Sequence, residues 1–183
     1  FGNHPLHLAA FSSSLDILKY LLDNSSIDIN LKTLRLGRTA LHQASQSSLA
    51  AVKLLVDRNA SIFVQSNRQT DFGLYPIHMA AEYDKVDILN FFLGLEPKLA
   101  DVRNFYGQTP LIRAVVGGAL NATRHLVENA SLPVDTHQND NSTSLHIAAL
   151  KGNLKLTSYL IEKGADVEAQ SSNSGYMPIH NAA

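Results

Sequence analysis

The stretch HPLHLAA at residues 4–10 decides the fold, because five variants of it follow along the chain. They are TALHQAS at 39–45, YPIHMAA at 75–81, TPLIRAV at 109–115, TSLHIAA at 143–149 and MPIHNAA at 177–183. The third residues of successive copies lie 35, 36, 34, 34 and 34 positions apart. Self-similarity at a fixed period of this size indicates stacked units, each of which buries its apolar face against its neighbours.

A longer amphipathic segment follows each of the first five copies. These segments are LDILKYLLDN at 15–24, LAAVKLLVDRNA at 49–60, VDILNFFLG at 86–94, LNATRHLVENA at 120–130 and LKLTSYLIEKGA at 154–165. Their apolar residues recur at the i, i+3, i+4 spacing of a helix with one buried face. We therefore expect each unit to contain a short helix, a tight turn, a longer helix and an extended finger.

Individual motif positions match these expected elements. A glycine, or Asn141 in the fifth copy, stands four residues before the third motif residue; the glycines are Gly2, Gly37, Gly73, Gly107 and Gly175. Gly and Asn are the residues that best tolerate a left-handed backbone. The hydroxyls of Thr39, Thr109 and Thr143 are placed to cap helix N-termini. We expect the buried bulk to come from Leu21, Leu55, Phe92, Leu126 and Leu160 on the longer helices.

Taken together, the units resemble the ankyrin repeat family, whose repeat of about 33 residues carries a T-P-L-H-x-A signature. The resemblance covers essentially the whole chain and implies an all-α solenoid of paired antiparallel helices with β-hairpin or loop fingers. It predicts a single array over residues 1–183, with repeats at about 2–36, 37–72, 73–106, 107–140 and 141–174 and a partial repeat at 175–183. Without polar capping units at either end, the chain is expected to be a segment of a longer array.

Composition argues against several classes of function. The formal net charge is −1 and no two basic residues are adjacent, so no nucleic acid partner is expected. No apolar stretch is long enough for direct insertion into a membrane. The absence of cysteine excludes disulfides and thiolate zinc sites. No phosphate loop, nucleophile elbow or metalloprotease motif occurs, so we expect neither an enzyme nor a cofactor.

Histidine recurs at one motif position in five copies: His7, His42, His78, His146 and His180. A metal ladder is one interpretation of this pattern. However, units spaced about 8–10 Å apart cannot bring two ring nitrogens to about 2 Å from one zinc ion. The resemblance favours a structural role instead, in which each ring bonds backbone and locks one unit to the next. Ile112 takes this position in the fourth unit.

In ankyrin families a protein partner usually contacts the finger tips and the exposed face of the first helices. Carried over position by position, the resemblance predicts partner contacts at Arg35, Leu36, Arg38, Phe72, Leu74, Glu82, Tyr83, Phe105, Tyr106, Gln108, Leu150, Lys151 and Tyr176. The aromatic residues are concentrated in units three and four, and exposed aromatics and arginine are enriched at interfaces. The alternative is that Phe105 and Tyr106 only pack against the adjacent finger.

We therefore expect a monomeric, non-catalytic scaffold for protein–protein interaction. One alternative is the repeat segment of a larger secreted toxin resembling latrotoxins, or of a bacterial effector; another is an enzyme or channel whose active part lies outside residues 1–183. A cytoplasmic location is expected, with secretion as the alternative. Five N-x-S/T sequons, beginning at Asn24, Asn59, Asn121, Asn129 and Asn141, fit a secreted protein, but turn-forming asparagines also generate them.

Overall fold

Paired helices make up the fold of the computed structural model, which describes residues 3–130, 132–172 and 175–182. The first helices of the units are α1 (Pro5–Phe11), α3 (Ala40–Ala44), α5 (Pro76–Glu82), α7 (Pro110–Gly117), α9 (Ser144–Leu150) and α11 (Pro178–Asn181). The second helices are α2 (Leu15–Asn24), α4 (Leu49–Asp57), α6 (Val86–Leu95), α8 (Leu120–Glu128) and α10 (Leu154–Glu162). A 3-10 helix, Pro97–Asp101, follows α6.

Stacking of like helices produces the solenoid. Each first helix contacts the first helix of the next unit, and α2, α4, α6 and α8 form a parallel second row. Pro5, Pro76, Pro110 and Pro178 occupy first helical positions, where a missing N–H costs nothing and a fixed φ suits the helix. The all-α solenoid predicted from the sequence is confirmed, whereas the exact limits of each repeat stay a prediction.

The core lies between the two rows of helices. Small residues such as Ala80 and Ala81 are fully buried where first helices meet, and Leu55, Phe92, Leu126 and Leu160 are fully buried on the second helices. Leu21 is only partly buried, and Leu18 is the fully buried residue of α2. In α2 the fully buried position thus lies three residues before the one predicted.

Turns rather than β-hairpins form the fingers. The described part of the chain contains no β-strand, and its only bridge joins His137 to Thr143. One backbone hydrogen bond links each finger to the next, with N···O distances of 2.7–2.9 Å: Asn67 to Leu36, Phe105 to Phe72, Asn139 to Tyr106 and Ser172 to Asp140. The fingers are therefore of the loop type, which is one of the two finger types that the resemblance implies.

Left-handed backbone is required at the residue that follows each of these acceptors. Gly37 has φ +62°, and Asn141, its counterpart in unit five, has φ +61°. A Cβ at Gly37 would lie 2.7 Å from the amide nitrogen of Asn67 in the next finger. The predicted role of the repeat glycine therefore holds at these positions, while Gly2 lies outside the described residues. No helix in the described ranges has the length and apolar character needed to cross a membrane.

Candidate functional site

The repeated histidines fix the base of the fingers. In unit two, Nδ1 of His42 accepts a hydrogen bond from the backbone N–H of Thr39 at 3.1 Å, and Nε2 lies 2.9 Å from the carbonyl oxygen of Leu74 in the next finger. Because Nδ1 is an acceptor, the neutral ring carries its proton on Nε2 and donates it to Leu74. Each such ring thus closes its own helix start and joins it to the following unit.

The same two-sided bonding recurs along the stack. The Nε2 atoms of His78 and His146 each lie 2.9 Å from the carbonyl oxygens of Gln108 and Tyr176, respectively. His7 reaches Leu31 at 2.9 Å. The structural role expected for these histidines is therefore observed. The described residues include no group of three His, Cys, Asp or Glu side chains that could hold a metal ion.

Burial changes the pKa values of three of these repeated histidines. Removal from water disfavours the charged ring and lowers the pKa of His42 to about 4 and that of His78 to about 3, although their carbonyl partners act in the opposite direction. The pKa of His7 is also lowered, chiefly by burial. These rings are consequently neutral hydrogen-bonding groups at neutral pH.

The threonine caps differ from the sequence prediction in two units. The hydroxyl oxygens of Thr39 and Thr143 lie 2.9 and 3.0 Å from Nδ1 of His42 and His146, so they bond the ring rather than a free helix N–H. Only Thr109, where Ile112 replaces the histidine, accepts the backbone N–H of residue 112, at 3.4 Å. The ring is held close to the hydroxyl because its Nδ1 also accepts the backbone N–H of the same threonine, at 3.1 Å in both units.

Ion pairs between neighbouring units occupy the face beside the fingers. Arg38 donates to both carboxylate oxygens of Asp71 at 2.6 Å. Burial would lower the pKa of Arg38, but the hydrogen bond and charge of Asp71, with smaller contributions from Tyr83 and Glu82, raise it. Glu82 in turn pairs with Arg113 of α7. Both predicted contact residues, Arg38 and Glu82, are therefore held in place by partners about one repeat away.

Three aromatic rings meet at the tips of fingers three and four, where each finger is numbered by the unit into which it leads. The ring centroids of Phe72 and Tyr106 are 5.4 Å apart, and those of Phe105 and Tyr106 are 5.5 Å apart. The guanidinium of Arg68 lies over the Phe105 ring at 4.8 Å. These rings pack against the adjacent finger, as the alternative interpretation expected, and yet Phe72 is 40% exposed and Phe105 and Tyr106 are each 47% exposed.

The remaining predicted residues spread over a wider area. Tyr83 is 48% exposed at the end of α5, near Arg38 and outside the ring cluster. Leu74 is 1% exposed and contributes its carbonyl to His42, so its side chain presents no surface. Gln108 bonds Asn104 and Gln138 within the finger layer. The other predicted residues are exposed or half-buried: Arg35 and Leu36 on finger two, and Leu150, Lys151 and Tyr176 towards the end of the stack.

The positions predicted from the sequence leave out several other exposed residues. Leu34 is 86% exposed beside Arg35, and Arg68 belongs to the ring cluster. Leu8 and Phe11 of α1 are 54% and 56% exposed. Leu34 and Arg68 lie outside the motif positions at which the resemblance predicts partner contacts. Phe11 directly follows the Ala9–Ala10 pair, so the repeat period alone could have identified it.

Comparison with known proteins agrees with this architecture. A family profile described as "Ankyrin repeats (3 copies)" matches residues 1–66 and 62–136, and another described as "Ankyrin repeats (many copies)" matches residues 145–183. The chain belongs to the ankyrin repeat family. Such repeats generally mediate protein–protein interaction, and the family is typically a non-catalytic module.

Individual relatives cover nearly all of this chain. Ankyrin repeat protein nuc-2 of Neurospora crassa is 26% identical over 93% of the chain and 15% of its own length. Alpha-latrocrustotoxin-Lt1a of Latrodectus tredecimguttatus is 30% identical over 93% of the chain and 13% of its own length. The B-cell lymphoma 3 protein homolog of Mus musculus is 28% identical over 97% of the chain and 38% of its own length. The chain thus spans a minor part of each of these relatives.

Proposed function

We propose that this chain is a non-catalytic scaffold that holds another protein against its finger tips and first helices. The observation that carries the proposal is the cluster of Phe72, Phe105 and Tyr106, whose rings are ordered by mutual contact while 40–47% of their surface stays exposed. Rings held in this way lose little further conformational freedom on binding, which favours affinity. Aromatic residues in such positions are typical anchors of protein interfaces.

The inter-unit bonds support the same proposal, because they make the surface rigid. Backbone bonds between fingers, the histidine ladder and the Arg38–Asp71 pair all hold tips at fixed spacing before any partner arrives. Shape complementarity then requires little reorganisation on binding. Gln108 adds to this rigidity, because its side chain bonds Asn104 in its own finger, Gln138 in the next finger and Arg113 of α7.

A triple variant tests the scaffold: Phe72→Ala, Tyr83→Ala and Tyr106→Ala. The matched control, Ile17→Ala, Tyr20→Ala and Leu154→Ala, removes side chains that are 57%, 66% and 75% exposed on second helices. Proteins captured from a lysate of the source cells are identified by mass spectrometry, and the purified partner is titrated by calorimetry. We expect the tip variant to bind it at least about tenfold more weakly, and the control to bind normally.

Thermal unfolding accompanies the binding measurement. Equal partner affinity for the tip variant and the control would contradict the proposed surface. A tip variant that unfolds well below the wild type would show instead that the rings act as core.

A second candidate is the repeat segment of a larger secreted toxin or effector, whose activity resides outside residues 1–183. The 30% identity to alpha-latrocrustotoxin-Lt1a supports it, but the B-cell lymphoma 3 homolog matches a similar share of the chain and does not. Sequencing the transcript on both sides separates the two, since a signal peptide or a pore-forming domain would favour the toxin.

A further inference from the structure

We propose that the partner presents an acidic peptide segment with one aromatic or aliphatic side chain, and that it lies along the tips of units two to four. This inference rests on the proposed scaffold function. The surface, called the tip strip below, consists of Leu34, Arg35, Arg68, Phe72, Phe105 and Tyr106, all of which are exposed.

Hydrogen bonds between fingers make the tip strip continuous. The hydroxyl of Thr70 donates to the carbonyl of Arg35 at 2.5 Å, which joins tips two and three. The amide of Phe105 donates to the carbonyl of Phe72 at 2.9 Å, which joins tips three and four. With neighbouring units about 8–10 Å apart, three tips span about 20 Å. An extended peptide rises about 3.3 Å per residue, so about six residues would cover the strip.

Charge favours an acidic occupant. Lys32 and Arg35 on finger two and Arg68 on finger three have no carboxylate within ion-pair distance among the described residues, although the whole chain carries a net charge of −1. The nearby Arg38 is already neutralised by Asp71. Asp140 belongs to the following finger, where its carboxylate accepts the amide of Ser142 at 2.9 Å. The cations without a carboxylate partner are therefore concentrated at one end of the tip strip, on fingers two and three.

The three aromatic rings indicate which other kind of side chain the bound peptide presents. Phe72 meets Tyr106 at an interplanar angle of 57°, and Phe105 meets Tyr106 at 68°, so the three rings form an apolar corner rather than a row of parallel faces. Arg68 covers one face of Phe105. Single-stranded nucleic acid binds by stacking successive bases on open faces within a cationic groove. A corner beside Arg68, with Lys32 and Arg35 one finger away, fits one apolar side chain flanked by carboxylates instead.

Fluorescence anisotropy with defined probes tests the proposal. The first probe is a dye-labelled peptide of about ten residues, made of Asp and Glu around one central Phe; the second replaces its acids with Asn and Gln; the third is an oligo-dT of about ten nucleotides. The variant Arg35→Glu with Arg68→Glu reverses two strip charges. Its control, Lys19→Glu with Lys155→Glu, makes the same change in net charge at exposed sites on second helices.

We expect the acidic peptide to bind wild type at least about tenfold more tightly than its neutral counterpart, and more weakly as salt rises. The strip variant should lose about tenfold or more in affinity and the control less than about twofold. Absent binding of the acidic peptide, equal binding of the two peptides or equal losses in the two variants would overturn the inference. Tighter binding of oligo-dT would reassign the strip to nucleic acid.

The scaffold function and the acidic occupant fail in different ways. One outcome is that the variant with Phe72→Ala, Tyr83→Ala and Tyr106→Ala fails to bind the captured partner while the variant with Arg35→Glu and Arg68→Glu still binds it. That result would support the proposed surface and show that the acidic occupant is wrong. If neither variant changes partner binding, both proposals fall. Circular dichroism melts of each variant verify that a loss of binding does not reflect unfolding.

Discussion

Acidification should unfold this stack through its buried histidines. The unfolded chain protonates a histidine near pH 6.5, whereas burial lowers the pKa of His42 to about 4 and that of His78 to about 3. Between those values the unfolded state binds more protons than the folded state, so the free energy of unfolding falls as the pH falls. The full contribution is present above pH 6.5, declines below it and levels off under the folded-state pKa values.

The size of the effect follows from the same pKa values. At pH 5 each of the two rings lowers the free energy of unfolding by about 2 kcal/mol relative to pH 7.5, which gives about 4 kcal/mol together. Folded domains are typically stable by only about 5–15 kcal/mol. The lowered pKa of His7 acts in the same direction. Mild acid should therefore remove a large share of the stability.

Urea denaturation at several pH values between 5 and 7.5 measures this dependence. His42→Gln and His78→Gln should each cost about 1–3 kcal/mol at pH 7.5, through the lost hydrogen bonds. Each should also remove roughly half of the loss seen between pH 7.5 and pH 5. A loss under about 1 kcal/mol in wild type, or an unchanged slope in both variants, would refute the reasoning.

Three further perturbations test the packing. Gly117→Ala places a methyl group against the backbone carbonyl of Glu82 and should cost about 1–3 kcal/mol, whereas Gly94→Ala meets nothing within 4 Å in a helix and should add about 0.5–1 kcal/mol; thermal melts compare the pair. Leu126→Ala should cost about 2–5 kcal/mol, with hydrogen-exchange protection lost first around unit four; uniform loss along the stack would contradict nearest-neighbour coupling. Asp84→Ala should weaken the start of α8, in the next unit, by about 0.5–2 kcal/mol, because it removes the carboxylate that accepts the amide N–H of Ala122 at 2.7 Å; unchanged exchange there would count against that cap.

Much of the fold was predictable because its determinants are local. The motif period placed every first helix, and apolar spacing placed every second one. The period also identified the histidines as a structural set, since their spacing forbids a shared metal ion. The resemblance left β-hairpin and loop fingers open, and the described residues form loops without strands.

The candidate surface was predictable in outline only. Motif position pointed to Phe72, Phe105 and Tyr106, and the structure shows that their rings lie together and are partly exposed. It did not distinguish the buried side chain of Leu74 from them, nor did it find Leu34 and Arg68. Whether any of these residues contacts a partner stays a prediction.

The sequence by itself determined the repeat, the order of helices and the residue types at each motif position, because these depend on spacing within about one unit. Only the tertiary structure decided that Arg38 pairs with Asp71 and that Glu82 pairs with Arg113. Both ion pairs join residues 31 to 33 positions apart. Their formation depends on how far each unit is rotated and shifted against the next, and no local pattern of residues records that geometry.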